Sequence, residues 1–205
     1  GSHLPVDALP SRTSRYRMTA WTAEGWLNGA EWLPSPNFGP RPADAEVSLA
    51  VIHNISLPPN EFGGEWITDL FLNQLDPAAH PYFATIHTYE VSAHFLIRRD
   101  GALLQFVSCA RRAWHAGVSS WRGRERCNDF SIGIELEGLE GGTFEHAQYV
   151  TLGRLIDALA RRYPLRAIAG HEHVAPGRKA DPGAGFDWTL VRLLPATADW
   201  DFPEM

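Results

Sequence analysis

The chain has 205 residues, 44% of them hydrophobic and 20% charged, which is enough to bury a sizeable core and too apolar for a disordered chain. A formal net charge of −6 excludes the basic surface by which nucleic-acid binders neutralise phosphates, and no apolar run approaches the roughly 18 residues of a membrane span. A single globular domain with neither nucleic acid nor membrane as partner is expected.

Gly1-Ser2-His3 reads as a tag remnant, and residues 4–24 as an N-terminal extension without the apolar centre of a signal peptide; the folded domain is assigned to 25–205. Residues 19–45, rich in Trp, Pro and Gly, predict an extended segment wrapping the body. The β-branched run "EVSLAVIH" (46–53) predicts a buried strand that ends on His53. In "EWITDLFLNQL" (65–75), Trp66, Ile67, Leu70 and Phe71 form one helical stripe, stopped by Asp76-Pro77.

"VSAHFLIRRDGALLQFVS" (91–108) reads as two strands joined at Asp100-Gly101, a strong hairpin signal. In "FSIGIELEG" (130–138), Ile132, Ile134 and Leu136 alternate with Gly133, Glu135 and Glu137, giving a strand with carboxylates on its second face. A helix is expected after Thr143 as N-cap, with Leu152, Leu155, Ile156 and Leu159 on its apolar stripe and Arg161, Arg162 and Pro164 at its end. "LRAIAG" reads as a strand feeding a loop, and "FDWTLVRLL" (186–194) as a short last helix. Strands mixed with amphipathic helices give an α/β domain on a mixed central sheet. The two cysteines, Cys109 and Cys127, lack CxxC spacing and predict free thiols in a reducing compartment, the cytoplasm.

Chemistry concentrates in "AGHEHVAPGRKADPG" (169–183). His171 and Asp181 are ten residues apart, with Pro176, Gly177 and Pro182 breaking any helix that would include both, so the loop can fold back on itself. Together with His53, at the end of a buried strand, they make a three-ligand set suited to zinc with one tetrahedral position left open. His173 competes with His171, because residues i and i+2 of a strand share a face, and spacing leaves that contest open. Glu135 is the candidate proton acceptor and Lys179 the candidate cation for a developing oxyanion, whereas Glu137 reads as a surface carboxylate. Cys127 is the rival nucleophile.

The stretches "VIHNISLPPNEFGG", "HPYF", "VSAHFLIRRDG", "RAWHAGVSSWRGRERCNDFSIGIELEG" and "GHEHVAPGRKADPG" together resemble the AmpD-type amidases, the 1,6-anhydro-N-acetylmuramoyl-L-alanine amidases of bacterial cell-wall recycling. The resemblance runs from about Gly25 to about Leu194. It implies a fold shared with phage lysozyme-type amidases and peptidoglycan-recognition proteins. It also implies one zinc ion per chain on His53, His171 and Asp181, with Glu135 as general base and Lys179 stabilising the oxyanion. By the same resemblance His171 rather than His173 is the ligand. Asn54, Arg126 and Arg178 become candidates for binding an anhydro-muropeptide, with Trp114 and His115 as wall residues. A monomer is expected. The competing reading is a muropeptide sensor on the same fold that binds without cutting.

Overall fold

The computed structural model describes residues 20–204. The tag remnant and most of the N-terminal extension lie outside them. In chain order the strands of the first half are β1 (Glu31–Trp32), β2 (Phe38–Pro40) and β3 (Leu49–Ile55), followed by helices α1 (Trp66–Phe71) and α2 (Phe83–Ile86). Next come β4 (Phe95–Ile97), β5 (Leu103–Gln105), β6 (Arg111–Ala113), β7 (Ser120–Trp121) and β8 (Arg124–Glu125). The last part holds β9 (Ser131–Glu137), α3 (His146–Arg162), β10 (Ala167–Gly170), the one-turn α4 (His171–Val174) and α5 (Trp188–Arg192).

Six strands form a mixed sheet in the order β1-β5-β4-β9-β3-β10. β4, β9, β3 and β10 are parallel neighbours, while β5 returns antiparallel to β4 as the Asp100-Gly101 hairpin predicts. The expected α/β domain on a mixed sheet is therefore present. The Trp/Pro/Gly-rich lead-in contributes β1 to the sheet edge and pairs β2 with β6. Trp21 joins the body too, its indole Nε1 donating to Ala158 O of α3 at 3.2 Å.

Alternation along the strands divides the core into layers. Ala50, Ile52, Ile132, Ile134 and Leu136 turn to one face and pack against Leu152, Leu155, Ile156 and Leu159 of α3 and Val191 of α5. Leu96 and Leu104 turn to the other face, against Ile67, Leu70 and Phe71 of α1 and Phe83 and Ile86 of α2. The odd-numbered residues of β3, Leu49 and Val51, pack on that second side with Ala116, Cys127 and Val174. His53 continues this row on the same face, still buried, beyond the last apolar residue of the row.

Several boundaries differ from those expected. β3 runs two residues past His53, which is inside the strand rather than at its end. α1 stops at Leu72, ahead of Asp76-Pro77, because Asn73 takes a left-handed conformation (φ 59°) and pairs its side-chain amide with that of Asn37 at 2.8 and 2.9 Å. α3 is capped at Glu145 rather than Thr143; Glu145 N donates to Gln148 Oε1 at 2.9 Å, while the Thr143 carbonyl accepts from Arg99. Glu137 is not a surface carboxylate. It is 2% exposed and accepts from Gly63 N, Arg98 Nη2 and Arg99 N at 2.9, 3.1 and 3.0 Å. Both cysteines are free, buried thiols.

Candidate active site

Three neighbouring parallel strands deliver the site. β3 brings His53, β9 brings Glu135 in register beside it, and β10 leads directly into α4, whose first residue is His171. The strand expected to feed a loop thus feeds a single helical turn. Gly170 makes this corner possible, since a Cβ there would come within 2.7 Å of Pro182 Cδ. The turn also separates the two competing histidines. His173 Nδ1 accepts from Gly170 N at 2.8 Å and its ring packs on Trp188, away from His53.

The donor atoms of His53, His171 and Asp181 lie within 4.8 Å of one another. His53 Nδ1 is 3.0 Å from His171 Nδ1 and 3.3 Å from Asp181 Oδ2, and His171 Nδ1 is 3.2 Å from Asp181 Oδ1. Zinc–nitrogen bonds of about 2.0–2.1 Å in a tetrahedron place ligand atoms about 3.3 Å apart, so the spacing fits. The donor chemistry agrees. His171 Nε2 donates to Ala116 O at 3.0 Å, which assigns the lone pair to Nδ1 and leaves it facing a carboxylate oxygen. Two acceptors this close call for a positive charge between them. Burial would raise the Asp181 pKa, but the two imidazoles beside it, whenever they carry a proton toward it, outweigh that and hold the carboxyl far below its usual range. Burial lowers the His53 pKa, opposed by the neighbouring Asp181 carboxylate, so the ring favours the neutral form that can ligate a cation.

Glu135 lies in the same cleft. Its buried Oε1 has no hydrogen-bond partner, and burial, reinforced by the charge of Asp181 and opposed by Lys179, raises its pKa well above the carboxylate range. Such a group binds a proton readily. A nearby divalent cation would pull that affinity back toward neutrality.

The cleft has a volume of about 770 Å³ and is lined by His53, Asn54, Trp114, His115, Glu135, His171, Arg178, Lys179 and Asp181, with Tyr82 and Tyr89 also in its wall. Arg126 is not part of this lining. It lines an adjoining cleft of about 540 Å³ that Arg178 borders as well. Arg178 donates to the carbonyls of Ala116 and Val118 at 2.6 and 2.8 Å. Asn54 ties down the Asp181 loop: its N donates to Asp181 Oδ2 at 3.3 Å and its Nδ2 to Pro182 O at 3.0 Å. His115 is more than a wall residue, because its Nδ1 lies 2.9 Å from His53 Nε2. Cys127 is fully buried in the apolar cluster behind β3, outside the lining of the cleft, and burial raises its thiol pKa, which removes it as a nucleophile. Sequence reasoning passed over Asn128 and Ser131, which support His115, and no spacing signal marks them.

Residues 43–184 match the family model described as N-acetylmuramoyl-L-alanine amidase. The chain is 57% identical over 173 residues to the 1,6-anhydro-N-acetylmuramyl-L-alanine amidase AmpD of Citrobacter freundii, spanning 83% of this chain and 92% of the relative. A crystal structure of a Se-Met AmpD derivative superposes with a TM-score of 0.81 at 55% identity, covering 85% of this chain and 99% of that one. The Escherichia coli amidase AmiD, in complex with the substrate anhydro-N-acetylmuramic acid-L-Ala-D-gamma-Glu-L-Lys, is similar at 28% identity and a TM-score of 0.53, over 84% of this chain and 64% of that one. With that match across more than half its length, the chain belongs to the N-acetylmuramoyl-L-alanine amidase family.

Proposed function

We propose that the protein is a zinc-dependent amidase. It hydrolyses the amide between 1,6-anhydro-N-acetylmuramic acid and the L-alanine of the stem peptide, in peptidoglycan recycling. The observation that carries this reading is a buried, partnerless carboxylate, Glu135, beside three converging donor atoms in an open cleft. Relatives sharing more than half their residues with this chain are amidases by name, which disfavours the sensor that binds without cutting.

His53, His171 and Asp181 would hold the zinc, which when bound supplies Lewis-acid polarisation of the scissile carbonyl and makes water a better nucleophile. Glu135 takes the proton of the attacking water as the new C–O bond forms. It then returns that proton to the alanine nitrogen as the C–N bond breaks, giving a lactyl carboxylate and a free amine. Lys179, exposed at the cleft rim, places an ammonium where negative charge develops on the carbonyl oxygen. Arg178, with Arg126 in the adjoining cleft, suits the carboxylates of a stem peptide, since a planar guanidinium binds them bidentately. Trp114 and Asn54 would border the substrate.

Residues 25–205 form the catalytic domain in this reading, acting as a cytoplasmic monomer. Mass spectrometry of an incubation with anhydro-muropeptide and zinc tests the reading. Release of intact stem peptide supports it, and recovery of uncut substrate after long incubation would overturn it in favour of the sensor.

A further inference from the structure

Both histidines of the triad take their outer hydrogen bond from one short segment. His171 Nε2 donates to Ala116 O at 3.0 Å, and His53 Nε2 is 2.9 Å from Nδ1 of the preceding residue, His115. Ser131 Oγ lies 3.0 Å from the far nitrogen of that ring, His115 Nε2. We propose that His115 is a positioning residue for the metal centre, its neutral ring accepting from His53 at Nδ1 and fixed in that tautomer by Ser131.

Hydrogen-bond direction supports the assignment. With Nδ1 of His53 kept as a lone pair for the cation between Asp181 and His171, its proton resides on Nε2 and is donated to His115 Nδ1. His115 must then carry its own proton on Nε2, where Ser131 Oγ accepts it. Reversing His115 would set two N–H groups against each other at 2.9 Å.

The backbone beneath is held equally firmly. His115 N and Ala116 N both donate to Asn128 Oδ1 at 3.3 and 2.9 Å, and Trp114 N donates to Ser92 Oγ at 3.0 Å. The ring occupies space that the sheet leaves open: a Cβ on Gly133 would fall 2.4 to 2.7 Å from its atoms. Outer partners of this kind fix ligand tautomer and ring orientation, and losing one costs about 10–100-fold in metal affinity.

This inference rests on the metal reading of His53, His171 and Asp181. Zinc affinity is measured by competition with a chromogenic chelator near neutral pH, with His171→Ala as control. His115→Ala should weaken zinc binding about 10–100-fold. His115→Asn, which places an acceptor oxygen where Nδ1 sits, should recover most of the loss, and Ser131→Ala should lose several-fold. A residue that merely fills space would leave the Ala and Asn variants alike, and that result, or wild-type affinity in His115→Ala, overturns the proposal. If His115→Ala does not fold, Ser131→Ala at wild-type affinity overturns it instead. Failure of the wild type to take up zinc, or uptake by the His171→Ala control, would overturn the metal reading and this inference with it.

Discussion

His53 and Glu135 stand directly opposite each other on adjacent parallel strands, so a donor for a cation and a carboxylate with no partner are aligned by the sheet itself. Because no hydrogen bond depends on Glu135 Oε1, an isosteric amide can replace the carboxylate without disturbing the surroundings. Glu135→Gln is expected to retain stoichiometric zinc and undiminished thermal stability while turnover falls by about 10²–10⁴, the range of general-base catalysis. Turnover near wild type would remove Glu135 from the chemistry.

Ligand loss should behave oppositely. His171→Ala and Asp181→Ala are expected to lose metal and activity together, and a chelator should inactivate the wild type until zinc is restored. Elemental analysis beside a turnover assay separates this outcome from that for Glu135→Gln. Full activity in metal-free His171→Ala would contradict the assigned ligands.

Glu137 carries a stability prediction. Its removal leaves Arg98, Gly63 N and Arg99 N without their buried acceptor, so Glu137→Ala should destabilise the fold by about 3–5 kcal/mol in urea unfolding. A surface carboxylate would cost within about 0.5 kcal/mol. The same loss should loosen the 60–64 turn beside the cleft.

His94 predicts a pH dependence. Burial, aided by the Arg41 guanidinium and opposed by a hydrogen bond to Arg111 O, pushes its pKa from 6.5 down to about 3. The unfolded chain therefore binds a proton that the folded chain refuses throughout this window. Stability is complete above the unfolded value and falls as pH drops from 6.5 toward 3, at about 1.4 kcal/mol per pH unit for this one group. His94→Asn should flatten the slope by that amount in denaturant titrations between about pH 6 and about 4.5. Parallel slopes in the two proteins would count against it.

The sheet and its layers were legible because β-branched runs and alternation are local. Ile132, Ile134 and Leu136 could be assigned to one face from period two alone. Helix ends were less legible, since the Asn37–Asn73 pair that terminates α1 joins residues far apart in sequence. The triad could be assembled from residue types and a foldable loop, although the single turn that separates His171 from His173 had no local signature beyond Gly170. Glu135 and Glu137 share one strand face, and only their neighbours distinguish them: two arginines and a glycine amide surround one, while the other lines the cleft with its buried Oε1 unbonded. Asn128 and Ser131 escaped, and His115 was read only as a wall residue, for the same reason: their roles reside in partners from other parts of the chain.

His53 and His171 lie 118 positions apart, and most of the central sheet and the long helix α3 are threaded between them. A cation gripping both rings would act as a clasp on a loop of that size. The chain could not peel away at β3 or β10 without opening the clasp, so loss of metal and loss of fold would be coupled events. Each tenfold excess of free zinc over its dissociation constant would add about 1.4 kcal/mol of resistance to unfolding. A chelator would then be a denaturant of this protein as well as its inhibitor.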